Sequence, residues 1–186
     1  IAIVMVLLLS GTLVSGLIMI GQTKKYGLIN QAQKTILKEQ DRIITLVKNS
    51  NFGDMISVVL VEAEKELELN IGDTLSTATI NRIATLSSAL KPYRYFQGDS
   101  LSTQELSLER GQLLLALNSM RIDSSTFYKI KRATSFSCSD LRNADLNGAD
   151  LSGIDLSNSN LENANLISAN LINADLRSTN FRAANL

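Results

Sequence analysis

The chain has neither histidine nor tryptophan, one cysteine and one proline among its 186 residues. Without histidine no His-containing triad or zinc site can be assembled, and Cys138 alone cannot form an intramolecular disulfide. A lone thiol fits a reducing cytoplasm slightly better than an oxidising compartment. Excess charge is lacking as well: 18 basic and 18 acidic residues balance to zero. The balance hides a split, since residues 134–186 carry six acids (Asp140, Asp145, Asp150, Asp155, Glu162 and Asp175) against three arginines. Neither side of that split is strong enough to imply nucleic acid. The sequence starts at Ile1 without methionine, which leads us to expect residues before it; whether any come after Leu186 is not legible.

Long apolar runs are confined to the start. Residues 1–23 carry no charge, and IAIVMVLLLSGTLVSGLIMI has the length that crosses ~30 Å of hydrocarbon as a helix. The run predicts a transmembrane anchor over 1–23. The alternative is a cleaved signal peptide, but Leu17 to Ile20 stay apolar past the small pair Ser15 and Gly16, where such a signal would end. Lys24 and Lys25 come immediately after, which predicts a single span with the remainder of the chain on the cytoplasmic side. Gly11 and Ser15 have the spacing that lets a second membrane helix approach.

Over 24–71 the pattern predicts juxtamembrane amphipathic helices. Ile29, Ile36 and Ile43 recur every seven residues beside Ala32 and Leu46, with Lys34, Lys38, Glu39 and Asp41 elsewhere, so one helix has an apolar stripe. A coiled-coil stem would place Glu39 in its seam, and intramolecular packing is the better reading. Asn49 to Gly53 reads as a break, with Asp54 capping a second helix through Met55, Val58, Val59, Val61 and Leu67. Lys24, Lys25, Lys34 and Lys38 suit either anionic headgroups or plain solvation.

Over 72–133 a helical subdomain is expected to cap the C-terminal part of the chain. Ser76 opens a helix carrying Ile80, Ile83 and Leu90 inward until Pro92. Ser102 with Glu105, or else Ser107, starts a helix with Leu113, Leu114, Leu115 and Leu117 inside. Asp123 caps a last helix containing Phe127 and Ile130. Between them Lys91, Tyr93, Arg94 and Tyr95 interleave bases with aromatics, a pattern that can stack nucleobases but that more commonly packs over a helix end.

The clearest signal begins near Thr134. Every fifth residue is Leu or Phe: Phe136, Leu141, Leu146, Leu151, Leu156, Leu161, Leu166, Leu171, Leu176, Phe181 and Leu186. Neither a 3.6-residue nor a 2-residue period keeps such a series on one interior, so these residues form the core of a solenoid closing in multiples of five. Two positions earlier lie small residues, Ala144, Ala149, Ser159, Ala164, Ala169, Ala174, Thr179 and Ala184, with Ile154 the bulky exception. From Asp140 to Asn185 the residue just before each centre is Asp or Asn, which suits tight turns because those side chains bond nearby backbone. The two residues after each centre should face solvent.

These residues match an A(D/N)LXX motif, and the segment 134–186 resembles the pentapeptide-repeat family. The resemblance implies a right-handed quadrilateral β-helix of four pentapeptides per coil, with the central Leu or Phe and the small residue inward. Together with the anchor and helices, the whole resembles membrane-attached bacterial members of that family, hence an expected place in a bacterial inner membrane. The family has no common active site, and no acid and base pair or metal cluster converges here, so we expect neither an enzyme nor a cofactor. The leading expectation is a membrane-anchored scaffold that presents a rigid surface, including Asp140, Asp145, Asp150, Asp155 and Glu162, to a protein partner. An accessory subunit of a membrane complex is one alternative. A DNA mimic that binds type II topoisomerases is another, but Asn160, Asn165, Asn170, Asn180 and Asn185 dilute the acids. The exposed last coil is expected to be covered, by further residues after Leu186, by a helix from elsewhere in the chain or by the coil of a second subunit, with further residues or self-association preferred; self-association could also run through the anchor.

Overall fold

A computed structural model describes residues 24–35, 38, 52–70, 72–97 and 100–186. The chain divides into two compact units, 1–46 and 47–186. In the first, residues 24–35 form helix α1, with Tyr26, Leu28 and Ile29 exposed. Ile36, Ile43 and Leu46 of the expected stripe lie outside the described residues, as does the expected span 1–23. No helix among the described residues is long and apolar enough to cross a membrane. Among the described residues, then, the expected transmembrane helix of a single-span inner-membrane protein is not found.

The second unit begins with helix α2 over 52–69. Asp54 lies inside its first turn rather than at its cap. The apolar stripe is also rotated from the expected one: Ile56 and Ala63 are buried with Val59, Leu60 and Leu67 half-buried, while Met55, Val58 and Val61 face outward. The observed set follows i, i+3, i+4, i+7, i+11, which is the stripe a 3.6-residue period allows. Helix α3, Thr77–Ala89, is capped by Ser76, whose hydroxyl accepts the Thr79 N–H, and it buries Ile80 and Ile83. Two short antiparallel strands, β1 (Phe96–Gln97) and β2 (Ser100–Leu101), then close a hairpin extended by the Tyr93–Leu106 bridge.

Ser107, not Ser102, caps helix α4 (Leu108–Ser119) by accepting the Arg110 N–H. Ser102 is occupied in the hairpin, where its hydroxyl donates to Gln104 O and accepts the Tyr95 N–H. Leu113, Leu114 and Leu117 are buried and Leu115 is half-buried. Asp123 caps helix α5 (Ser124–Ala133) through the N–H groups of Ser125 and Thr126, and Phe127 and Ile130 are buried. α5 packs on α3 and delivers the chain to the repeats.

From there the chain turns once every five residues. The Leu141 carbonyl accepts the Ala144 N–H at 3.1 Å, and the same bond recurs at Leu146, Leu151, Leu156, Leu161, Leu166, Leu171, Leu176 and Phe181. In each turn the residue two after the centre is left-handed, from Cys138 (φ 57°) through Gly148 (66°) to Ala183 (55°). Successive coils meet at parallel bridges spaced twenty residues apart, Asp140 to Asn160, Asp145 to Asn165, Asp150 to Asn170, Asp155 to Asp175, Asn160 to Asn180 and Asn165 to Asn185. Four pentapeptides therefore complete one coil.

The expected β-helix is corrected at this point, because no residue of 134–186 lies in a β-strand. A left-handed residue every fifth position ends each extended stretch after a single bridge, so the coil is a stack of turns rather than of strands. Its interior holds Phe136, Leu141, Leu146, Leu151, Leu156, Leu161 and Leu166, with Ile154 fully buried among them. Leu171, Leu176 and Phe181 are only partly buried, and Leu186 is 73% exposed. The same apolar cluster continues without a break into Ile83, Leu113, Leu117 and Ile130 of the helices.

Candidate interaction surface

The outward side of the coil is built by the residue before each centre. Its side-chain oxygen accepts the N–H two residues on, as Asp140 does from Arg142, Asp150 from Ser152, Asp155 from Ser157 and Asn160 from Glu162, and on through Asn180 to Arg182. Asp and Asn make this bond more strongly than the hydroxyls of Ser or Thr do, which explains the unbroken run. One coil further along, the amides stack on the oxygens below: Asn165 Nδ2 donates to Asp145 (2.9 Å), Asn170 Nδ2 to Asp150 (3.2 Å) and Asn180 Nδ2 to Asn160 (2.9 Å). Asn above Asp gives a donor over an acceptor. Where Asp175 lies over Asp155 instead, Arg177 forks the upper carboxylate and its hydrogen bonds hold that carboxyl below the usual range.

This geometry places the acids singled out in the sequence. Asp140, Asp145, Asp150 and Asp155 fall one to each of four columns, because residues align at twenty and not at five. They do not gather on one face. Arg142 is bidentate on Asp140, its cation raised above its usual range first by that hydrogen bond, and its guanidinium lies 5.3 Å from the Tyr95 ring centre. Glu162, in the next coil of that column, pairs with Arg182 at 3.2 Å. The column from Arg142 to Glu162 to Arg182 thus alternates in sign. Two neighbouring columns carry instead the exposed apolar side chains Ile167 and Ile172, one coil above Asn147 and Ser152.

Both tyrosines of the KPYRYF stretch are engaged in packing. Tyr93 donates to Glu109 Oε1 at 3.1 Å and Tyr95 covers Arg142, so neither ring is free to stack a base. Gln104 of the hairpin donates to the Asn158 carbonyl at 2.7 Å.

The first coil meets the helices through charges that no motif announced. Lys131 is 3% exposed, donates to the Asp150 carbonyl at 2.9 Å and to Ser152 Oγ at 3.2 Å, and its ammonium lies 3.0 Å from the Asp150 carboxylate. Burial on its own pushes the Asp150 carboxyl up, and hydrogen bonds from Ser152 and Lys131 more than offset it. Arg110, also buried, donates to the carbonyls of Ser87 and Ser137. Ser107 stands in for a preceding coil, accepting the Asp140 N–H and donating to the Cys138 carbonyl. A search for polar residues among the apolar positions of α4 and α5 is the only signal that could have found Arg110 and Lys131.

Chemistry finds little purchase here. Among the described residues no cluster of His, Cys, Asp and Glu could hold a metal. Burial pushes the Cys138 thiol up, away from the thiolate a nucleophile needs. A family model described as pentapeptide repeats matches residues 132–163 and 159–186, in eight copies. A search of curated proteins finds no match to the chain.

Proposed function

Because this chain is a pentapeptide-repeat protein over residues 132–186, and such repeats are generally non-enzymatic protein-interaction modules, we propose that it is a scaffold whose rigid coil docks a protein partner. The observation that carries this reading is the separation of labour within each pentapeptide. The centre, the small residue and the Asp or Asn are committed to the coil itself, through burial and through bonds to the adjacent turns. The side chain after each centre is not buried in the coil, and it varies from Arg142, Glu162 and Arg182 in one column to Ile167 and Ile172 in others. Side chains free to vary on a fixed backbone make a surface that can be specific without being flexible.

The DNA-mimic reading gains nothing from this arrangement. Acids distributed over four columns and answered by Arg142, Lys131, Arg177 and Arg182 do not reproduce two rails of phosphate charge. A photo-crosslinking residue placed at Glu162 or Ile172, in cells of the source organism, should yield a discrete adduct that Arg182→Glu or Ile172→Asp abolishes without lowering the melting temperature. Absence of any adduct from every outward position of 142–182 would count against the scaffold.

A further inference from the structure

Asn147 and Gly148 form the only asparagine–glycine pair in the chain. The pair makes the outward corner of one turn of the first coil, closed where Leu146 O accepts the Ala149 N–H at 3.1 Å, and both residues are exposed. In such a pair the glycine nitrogen can attack the asparagine side-chain carbonyl carbon. The N–Cγ bond forms, the glycine proton leaves with the amide nitrogen as ammonia, and a five-membered imide results. Water then opens the imide at the side-chain carbonyl to give aspartate, or at the backbone carbonyl to give isoaspartate. Glycine is the most permissive neighbour for this attack, because it has no Cβ to obstruct it and reaches backbone angles that other residues avoid.

The coil holds that nitrogen elsewhere. The Gly148 N–H donates to the Ile167 carbonyl of the next coil at 2.8 Å, with Gly148 at φ 66°, and the Asn147 N–H is bound by the Asp145 carboxylate at 3.2 Å. A nitrogen pinned between two coils cannot turn to the side chain before it without breaking the bond to Ile167. Other asparagines at the left-handed corner, Asn143, Asn158 and Asn163, precede Ala144, Ser159 and Ala164 and so lack the glycine.

The residues after the pair are closely engaged. Ala149 is buried and its carbonyl accepts the Asn170 N–H at 2.9 Å, while the carbonyl and carboxylate of Asp150 hold the buried Lys131 of α5. Isoaspartate routes the main chain through its side chain and adds one backbone carbon. Gly148, Ala149 and Asp150 would then be out of step with Ile167, Asn170 and Lys131. We infer that Asn147 is a latent site of spontaneous deamidation, shielded by the bond from Gly148 to Ile167 and released when this turn detaches, and that its isoaspartate product unseats the first coil from α5. This holds whatever the coil binds.

The test follows the full protein in warm, mildly alkaline buffer by mass spectrometry, with fragmentation that separates aspartate from isoaspartate, beside amide exchange at Gly148. The folded protein should deamidate at Asn147 at least about tenfold more slowly than its urea-unfolded form. Lys131→Met, or urea below the unfolding transition should that variant not fold, should speed deamidation and Gly148 exchange by the same factor. Gly148→Asn, which places at this corner the residue found at Asn143 and Asn163, should largely abolish the reaction at Asn147 even in the unfolded form. Protein carrying isoaspartate at position 147 should melt below the Asn147→Asp variant, which adds the same charge without the extra backbone atom. Equal rates in folded and unfolded protein, or a rate that stays fixed while Gly148 exchange quickens, would overturn the shielding. Equal melting of the isoaspartate and aspartate forms would overturn its consequence.

Discussion

Gly111 marks how closely a single residue can be constrained. A Cβ added there would lie 2.2 Å from the Asp140 carbonyl oxygen and 3.1 Å from its carbon. Both are backbone atoms of the first coil, so a methyl group would lift α4 off the repeats. Gly111→Ala should cost about 1–3 kcal/mol, whereas Gly53→Ala in α2, with nothing within 4 Å, should be neutral or stabilising by up to ~1 kcal/mol. Urea unfolding of the two variants checks the contrast. The left-handed positions argue in the other direction. Ala183 holds φ 55° where its equivalents Asn143 and Asn163 hold 59°, and an alanine side chain there costs roughly 1 kcal/mol. Ala183→Gly should therefore raise the melting temperature, while Leu156→Ala in the fully buried core should cost about 2–5 kcal/mol. Ser157, one residue on, is no neutral control: its hydroxyl donates to Asp155 at 2.6 Å, so Ser157→Asp would place a carboxylate beside an existing one.

Among the elements, three of the four expected helix caps are found where the sequence offered them, because their signal is local; Asp54, inside the first turn of α2, is the exception. Ser76, Ser107 and Asp123 each precede a helix and accept an N–H within three residues; Ser76→Ala should cost about 1 kcal/mol. The stripe of α2 departs from the expected one because a run rich in valine offers more than one. Packing into the shared apolar cluster selected Ile56 and Ala63 over Val58 and Val61, a tertiary choice that periodicity alone does not make. The junction of α5 with the first coil adds a pH dependence. Asp150 has its carboxyl held down in the folded state, its burial outweighed by bonds from Ser152 and Lys131. A depressed acid contributes stability above its unfolded pKa of ~4, and that contribution is lost as pH falls through the folded value. Denaturant midpoints between roughly pH 6 and pH 3 should accordingly fall less steeply for Asp150→Asn than for the parent, although the variant is less stable at neutral pH.

At the scale of the molecule, helices and coil share one apolar cluster from Ile56 to Leu166, so the unit 47–186 should unfold as one. Loss of the Lys131 and Arg110 bonds would expose backward-facing carbonyls of the first coil, and Lys131→Met should broaden or split a melt followed at the helices and at the repeats separately. What the sequence by itself determined is everything that depends on neighbours a few residues away. The five-residue period placed the centres from Phe136 to Leu166 inward, the Asp and Asn run forecast bonds to nearby backbone, and Ser76, Ser107 and Asp123 located three helix caps. What only the tertiary structure decided is which distant residues share a column. Asp140 aligns with Asn160 and not with Asp145, because a coil closes after four turns and the bridges span twenty residues. That closure scattered the acids that looked like one face, ended every extended stretch at a left-handed residue before a strand could form, and placed Lys131 and Arg110 on carbonyls that no local pattern pairs with them.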